Sequence, residues 1–165
     1  MSRKNDFIKK YGKSALLANL VADPFSAPIF ARIMLAQAAL ETGWGASVPG
    51  NNLFGIKNLS WLAGEVWVQT KEYVKGQVVT VTDAFQSFDD ATQAFLAYIL
   101  LIRETPRYKK AWLVRTDPEK YFEEIQKAGY ATDPLYAEKC FAVYRSVPEN
   151  WLELVGVNVR RFVGR

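Results

Sequence analysis

The chain has 165 residues, of which 50% are hydrophobic and 14% aromatic, and 21 basic against 17 acidic residues give a net charge of +4. This length and apolar content predict one folded domain, residues 1–165, and exclude a disordered or low-complexity protein. The sequence has no histidine, which excludes Ser-His-Asp and Cys-His sites and the zinc sites that rely on imidazole, so we expect no metal and no cofactor.

The positive charge suits either simple solubility or attraction to a polyanion such as a bacterial cell wall, a nucleic acid or an anionic membrane. Lysines and arginines occur in ones and twos and form no nucleic-acid-binding motif, so we expect no nucleic-acid partner. Residues 1–10 lack the apolar core of a secretion signal, and the longest apolar run, 95–102, is too short to span a bilayer. We therefore expect no integral membrane association.

The first part of the chain is predicted to be helical. The apolar pattern of residues 7–11 predicts a helix that Gly12 ends, and Ser14 is the candidate N-cap of a second helix ending at Asp23. Ser26, which precedes Ala27-Pro28, is the predicted N-cap of the next helix.

That third helix has apolar positions at helical spacing from 29 to 40, and Gly43 and Gly45 are predicted to end it. The pattern then changes to β-branched and aromatic residues over 65–82, which predicts a β-hairpin with Lys75-Gly76 as its turn. A further short extended piece is predicted over 84–88.

Helical spacing returns at 95–102, and Asp117-Pro118 and Asp133-Pro134 are each predicted to open another helix. Helices, one hairpin and more helices, with no repeat and no linker, predict an α+β domain with a mainly helical body and a small β-hairpin lobe. Lysozyme-like folds have this arrangement, in which the hairpin flanks a substrate groove.

The absence of histidine leaves carboxyl groups as the available general acids, and glycoside hydrolysis is a reaction that carboxylates commonly carry out unaided. Glu41 follows the apolar run 33–40, in which Gln37 is the only polar residue, and lies at the C-terminal end of its helix. The negative helix pole and partial burial beside Trp44 are both expected to raise the pKa of Glu41. A solvated glutamate in a final helical turn is the alternative interpretation.

Four blocks of sequence carry a family resemblance: AQAALETGWG at 36–45, GNNLFGIK at 50–57 with the hairpin that follows, PRY at 106–108, and GYATDPLYAEK at 129–139. In this order they resemble glycoside hydrolase family 73, the bacterial endo-β-N-acetylglucosaminidases of autolysins, flagellar assembly proteins and phage lytic proteins. The resemblance covers about residues 7–145 and leaves 146–165 as a C-terminal extension. It implies cleavage of the β-1,4 bond between N-acetylglucosamine and N-acetylmuramic acid in peptidoglycan.

The resemblance also implies roles for individual residues. Glu41 is the general acid, and Glu72 is a base or an electrostatic partner of the oxocarbenium-like transition state, with an exposed strand carboxylate beside Lys71 as the alternative. Tyr130 matches a tyrosine that lines the cleft near the scissile bond, and Tyr136, which the pattern alone places in a helix core, is a weaker candidate. The candidate sugar contacts, each of which could equally be a core residue, are Trp44, Asn52, Phe54 and Trp61.

The sequence departs from the common family pattern at three positions. Thr42 stands where many members have serine, Ala128 where glycine is frequent, and Gln86 where an arginine is common. None of these departures removes a proposed catalytic group. They leave open the fine structure of the substrate and the contacts behind the hairpin.

Other functions remain open on the sequence. A muramidase or a lytic transglycosylase would use the same helix-terminal glutamate, and a non-catalytic wall-binding module would keep only the fold. We expect peptidoglycan glycan strands as the partner, a monomer, and action on the cell wall, in the periplasm or outside the cell. The lack of a signal and of a wall-binding repeat indicates a bacteriolytic phage protein, such as an endolysin, or a domain cut from a larger autolysin.

Overall fold

The computed structural model describes residues 2–158, apart from the side chains of Glu72 and Tyr73. A body of helices carries one antiparallel hairpin, which confirms the predicted α+β class. The helices and strands are α1 (Arg3–Ala22), α2 (Ile29–Thr42), β1 (Glu65–Val74), β2 (Gln77–Gln86), α3 (Ala91–Glu104), α4 (Lys109–Leu113), α5 (Pro118–Lys127), α6 (Tyr136–Ser146) and α7 (Trp151–Leu154). Short 3₁₀ turns lie at Pro24–Ser26, Pro49–Asn51 and Pro106–Tyr108. Across residues 2–158, no helix has the length and hydropathy of a membrane span.

Helix α2 lies at the centre of the helical body. Ten of its fourteen residues are buried, because its sequence is apolar on every side rather than along one stripe. It packs against α1 and α6, and α1 also packs against α3. The central position of α2 fixes the place of the residues at its C-terminal end.

The first helix is continuous, so the predicted break at Gly12 and the predicted cap at Ser14 are both wrong. Gly12 lies buried in the middle of α1. A Cβ at this position would lie 2.6 Å from Cγ1 of Val155 and 3.4 Å from the ring of Trp151. The glycine is therefore needed for the close approach of α7, a contact between distant parts of the chain that no local pattern reveals.

Replacing Gly12 with alanine is expected to lower the free energy of unfolding by about 1–2 kcal/mol, because overpacking against Val155 outweighs the gain in helix propensity. Chemical denaturation measures the change. Ser14→Ala is the matched control and should change stability little, since Ser14 is inside the helix rather than at its start. A loss of about 1 kcal/mol in Ser14→Ala, with none in Gly12→Ala, would restore the predicted break.

The start of α2 also differs from the prediction. The helix begins at Ile29, and Ser26 lies buried in the preceding turn, where its hydroxyl donates to Asp23 Oδ2 and accepts from Asn19 Nδ2 at 3.0 Å. Asn19 Oδ1 accepts from the Ala31 N–H at 2.9 Å. Asn19 of α1 thus satisfies a free N–H in the first turn of α2, the role that was predicted for Ser26.

Of the two N-caps predicted for the later helices, Asp117 is confirmed and Asp133 is wrong. Asp117 accepts from the Lys120 N–H at the start of α5, as predicted. Asp133 instead accepts from the Leu135 N–H at 2.9 Å, and α6 begins at Tyr136. Asp133 therefore shapes the loop before α6 and does not cap the helix.

The hairpin pairs Glu65 with Gln86 at its base and Val74 with Gln77 at its tip. Lys75 and Gly76 both have positive φ angles, 49° and 80°, as a two-residue hairpin turn requires. The predicted turn is confirmed, while the separate extended piece over 84–88 is instead the end of β2 and the residues after it.

Gln86 connects the base of the hairpin to the loop that precedes β1. Its side chain is fully buried, accepts from the Leu59 N–H at 2.9 Å and donates to the Gly64 carbonyl at 2.8 Å. A neutral amide therefore makes the contacts behind the hairpin.

Candidate active site

Two neighbouring cavities lie where the helical body meets the hairpin, and a third lies beside them in the loop before β1. The first, of about 200 Å³, shares Glu41, Gly55 and Phe85 with the second, of about 530 Å³. The third, of about 570 Å³, shares Asn58 and Leu59 with the second. Since neighbouring cavities share lining residues, they form one groove, and Glu41 lies between its first and second parts. We call the second part the central cavity.

Glu41 occupies the last turn of α2, which ends at Thr42 with Gly43 as a left-handed C-cap, as predicted. Glu41 is exposed on the side that faces the groove. Its Oε1 accepts a hydrogen bond of 2.7 Å from the Tyr136 hydroxyl. A Cβ at Gly55 would lie 3.9 Å from Oε2. Gly55, with φ 63°, therefore keeps open the space beside the second carboxyl oxygen.

The surroundings of Glu41 raise the pKa of its carboxyl above the ordinary value of 4.5. The main cause is the loss of hydration on the side of the carboxyl that faces the protein, and the hydrogen bond from Tyr136 opposes it. The groove side stays open to water, which limits the increase. A carboxyl with a raised pKa can keep its proton closer to neutral pH, as a general acid must.

The two candidate tyrosines lie side by side, with ring centroids 5.9 Å apart and a 26° angle between the planes. Tyr136, the weaker candidate, is buried and donates to Glu41, whereas the hydroxyl of Tyr130 donates to the carbonyl of Phe54 at 2.8 Å. Tyr130 also lines the central cavity beside Glu41. The geometry thus gives Tyr136 the direct contact with the acid and makes Tyr130 part of the groove wall.

Asn52 and Phe54 hold the loop below the acid. The Asn52 amide donates to the Ile56 and Gln86 carbonyls at 2.7 and 2.9 Å, and its Oδ1 accepts from the Phe54 and Ile56 N–H groups. Phe54 is buried and stacks on Tyr98 at 4.1 Å between centroids. These bonds commit the Asn52 amide to the protein, so its contribution to the groove is to shape it.

Trp44 packs its ring against α1. Its backbone is left-handed, with φ 58°, and turns the chain back toward α1, where the ring packs edge-on against Phe7 at 5.7 Å and lies beneath Lys4. Trp44 does not line the two described cavities that Glu41 lines. The hydrogen-bonding neighbour of the Glu41 carboxyl is Tyr136, and partial burial of Glu41 by Trp44 stays a prediction.

Trp61 and Glu72 are the remaining predicted site residues. Trp61 is 56% exposed and lines the third cavity, where an aromatic ring is open to a ligand. The backbone of Glu72 pairs with Val79 in the hairpin, and its side chain falls outside the described residues. Glu72 is four positions beyond Val68, which lines the first cavity, a distance of about 13 Å along the strand.

Several polar residues of the site were not predicted, among them Arg107 and Lys57 of the central cavity, where Lys57 is also paired to Asp83 of β2. Gln37 is buried one helical turn before Glu41 and contacts Tyr136. All three had a signal in the sequence: Gln37 is the single polar residue in the apolar run that leads to Glu41, and Lys57 and Arg107 belong to two of the four sequence blocks.

Comparison with known proteins gives consistent matches. Residues 26–148 match the family described as mannosyl-glycoprotein endo-beta-N-acetylglucosaminidase, or glucosaminidase. The chain is 41% identical over 122 residues to the peptidoglycan hydrolase FlgJ of Vibrio parahaemolyticus and 36% identical over 124 residues to the exo-glucosaminidase LytG of Bacillus subtilis. These matches cover 70% and 67% of this chain, and 40% and 42% of the relatives.

Among solved structures, a peptidoglycan hydrolase mutant from Sphingomonas sp. A1 superposes with a TM-score of 0.73 at 33% identity. The match covers 92% of this chain and 98% of that one. The chain thus corresponds to nearly the whole of a solved domain, while it spans only about two fifths of the length of the curated FlgJ relative.

Proposed function

Since the chain belongs to the glucosaminidase family, glycoside hydrolase family 73, we propose that it is a peptidoglycan hydrolase with Glu41 as the general acid. The bond cut is the β-1,4 bond on the reducing side of N-acetylglucosamine, between it and N-acetylmuramic acid. The observation that carries this proposal is the position of Glu41, a carboxyl with a raised pKa that opens onto the groove.

In this mechanism Glu41 gives its proton to the glycosidic oxygen as the bond from that oxygen to C1 breaks, so that the leaving sugar departs as an alcohol. Positive charge develops at C1 of N-acetylglucosamine, and a water molecule completes the hydrolysis. If Glu72 removes the proton from that water, the anomer inverts, and the two carboxyls must come to about 6.5–9.5 Å of each other by bending of the hairpin. Participation of the acetamido oxygen is the second route and leaves the anomer retained.

The groove favours cutting within a strand. Cavities extend from Glu41 in both directions, toward Val68 and toward Arg107 and Trp61, so sugars can be bound on both sides of the scissile bond. The cation of Arg107 in the central cavity suits a saccharide that carries carboxylates, as peptidoglycan does through its lactyl and peptide groups. All of these groups belong to one chain, and we propose that the monomer is active.

We propose that the target is the wall itself, in the periplasm or outside the cell, whether the protein serves a phage or a bacterium. Bacteriolytic action would follow from such cuts. The similarity to FlgJ of Vibrio parahaemolyticus, a peptidoglycan hydrolase, supports this proposal.

Mass spectrometry of muropeptides released from purified wall tests the assignment. We expect products with reducing N-acetylglucosamine and a fall in the turbidity of the wall suspension. Reducing N-acetylmuramic acid would show a muramidase, an anhydro end would show a lytic transglycosylase, and no release would leave a wall-binding module. Proton NMR of the first-formed anomer separates the inverting route from the acetamido route.

A further inference from the structure

A line of buried polar groups runs from Glu41 into the helical core. The Tyr136 hydroxyl donates to Glu41 Oε1 at 2.7 Å, and Gln37 Nε2 donates to the Tyr136 oxygen at 2.9 Å. Gln37 Oε1 in turn accepts from the Tyr98 hydroxyl, which lies 2.6 Å from the hydroxyl of Tyr121. These four residues behind Glu41 are all buried, with Tyr136 at 5% exposure and the other three at 0%.

The direction of the donors in this line follows from elementary hydrogen-bond chemistry. An ionised carboxylate only accepts, so the single proton of the Tyr136 hydroxyl is directed at Glu41. The Tyr136 oxygen then accepts from the NH₂ of Gln37, which turns the amide oxygen of Gln37 toward Tyr98. Tyr98 must donate to that oxygen, and Tyr121 donates to Tyr98. Every donor therefore points toward Glu41.

This order distinguishes the two oxygens of the Glu41 carboxyl. When Glu41 takes up a proton and this order of donors is kept, Oε1 still accepts from Tyr136 as the carbonyl oxygen, so the acidic proton is carried by Oε2. Oε2 is the oxygen beside Gly55, and Gly55 lines both cavities that meet at Glu41. The proton is thus carried by the oxygen that faces the substrate space.

We propose that Gln37 is a positioning residue, which acts through Tyr136 to hold Oε1 of Glu41 as an acceptor and so places the transferable proton on Oε2. The proposal rests on the assignment of Glu41 as the general acid. Its second element is that the same donors stabilise the carboxylate that Glu41 becomes once it has given up the proton.

The other groups around Glu41 do not replace the Gln37 amide in this positioning role. From α6, Tyr136 and Cys140 face the acid, and burial raises the pKa of the Cys140 thiol to about 12, so that it stays neutral. Tyr130, in the loop before α6, is also neutral, because burial raises its pKa well above 10. The cations of the central cavity are Lys57, which is paired with Asp83, and Arg107, which stacks on Tyr108.

The first test is Gln37→Met, which keeps the volume of the side chain and removes both of its hydrogen-bonding groups. We expect kcat on purified wall to fall roughly tenfold with little change in KM, since the substrate does not contact Gln37. The alkaline limb of the pH–rate profile should move to higher pH, because the Glu41 carboxylate loses support and its pKa rises.

Gln37→Glu is the rescuing variant. The protonated carboxyl that it introduces can donate to Tyr136 and accept from Tyr98, so activity at acidic pH should return to within about threefold of the wild type. Position 37 is fully buried, and burial disfavours the charged form of the introduced carboxyl, so it should keep its proton while Glu41 titrates. The alkaline limb of Gln37→Glu should therefore lie closer to that of the wild type than the alkaline limb of Gln37→Met does.

A double-mutant cycle with Tyr136→Phe shows whether Gln37 acts through the tyrosine. In the Tyr136→Phe background, Gln37→Met should change kcat by no more than about twofold. Equal effects of Gln37→Met in both backgrounds, or an alkaline limb of Gln37→Met that coincides with that of the wild type, would overturn the proposal. Asn19→Leu is the control for lost stability: it removes another buried amide, near the other end of α2, and should lower the melting temperature without moving the pH limb.

Carbon-13 NMR titration of the Glu41 carboxyl separates this proposal from the proposed function. A higher pKa in Gln37→Met than in the wild type supports the positioning role even if the enzyme cuts a different bond. If the Glu41 pKa is unchanged in Gln37→Met while the wild type releases reducing N-acetylglucosamine, the positioning role is excluded and the proposed function is retained.

Discussion

Glu41→Gln is expected to lower kcat on purified peptidoglycan by about 10²–10⁴-fold, the contribution typical of a general acid. Glutamine keeps an oxygen that can accept from Tyr136 and has almost the same volume, so the groove should keep its shape. It lacks only the proton that the glycosidic oxygen must receive. Release of reducing sugar measures the loss, and circular dichroism checks the fold.

The same variant should be more stable than the wild type at neutral pH. The folded-state pKa of Glu41 is raised above its ordinary value of 4.5, so the wild type loses stability as the pH rises from that value through the folded pKa. The amide introduced by Glu41→Gln does not ionise, so the variant escapes this loss. Melting temperatures should therefore favour Glu41→Gln near pH 7 and converge with those of the wild type below about pH 4.

Glu149→Gln serves as the matched control, because Glu149 is an exposed glutamate in the loop before α7. Glu149→Gln should keep full activity and the melting temperature of the wild type. Normal wall hydrolysis by Glu41→Gln would exclude Glu41 as the general acid.

Arg115→Met is expected to lower the free energy of unfolding by about 3 kcal/mol, because it leaves a buried carboxylate without its main partner. Asp23, 6% exposed, lies between α1 and α2, and Arg115 binds its Oδ2 through Nε at 2.5 Å and its Oδ1 through Nη2 at 3.2 Å. Arg115 also donates to the Trp112 carbonyl and stacks on the Trp112 ring. The pair thereby ties the residues after α4 to the α1–α2 junction.

The pH dependence of the Arg115→Met loss follows from the pKa of Asp23. Burial alone would raise this pKa, but the hydrogen bonds and charge of Arg115, with the hydrogen bond from Ser26, outweigh burial and lower it below 3.8. A carboxyl whose pKa is lower in the folded state stabilises the fold at pH values above its unfolded pKa. This stabilisation is lost as the pH falls through the folded-state pKa. Urea denaturation should show the full loss near pH 7 and a smaller one near pH 3.

Two variants define the comparison for Arg115. Lys127→Met breaks an exposed pair with Glu124 and should cost less than about 1 kcal/mol. Asp23→Asn combined with Arg115→Met should recover part of the loss, since no charge then remains buried alone. Equal losses in Lys127→Met and Arg115→Met would show that the Asp23 pair contributes no more than a surface pair.

Most of the fold was predictable because its signals are local. The change from helical to alternating spacing located the hairpin, Lys75-Gly76 gave its turn, and Gly43 gave the end of α2 beside Glu41. The fold class followed from such local patterns, whereas the candidate acid followed from the apolar run that precedes Glu41 and from the four sequence blocks that carry the family resemblance.

The errors arose where contacts between distant residues override local ones. Gly12 resembles a helix break, yet it lies within α1 because α7 needs the space above it. Asn19 caps α2 from another helix, in place of Ser26. Tyr136 reaches Glu41 across 95 positions of sequence, and its helical spacing indicated only a core residue. The neighbours of a polar side chain in the core are set by helix packing, which short-range patterns do not encode.

If the chain cuts glycan strands as proposed, a groove that continues past its acid on both sides has a consequence for the material it degrades. A strand could then enter sideways at any point along its length, and we expect breaks in the interior of the polymer. One break per strand halves the mean chain length long before much soluble sugar is released. The tensile strength of a cross-linked mesh depends on the length of its load-carrying chains, so the mesh weakens after very few turnovers.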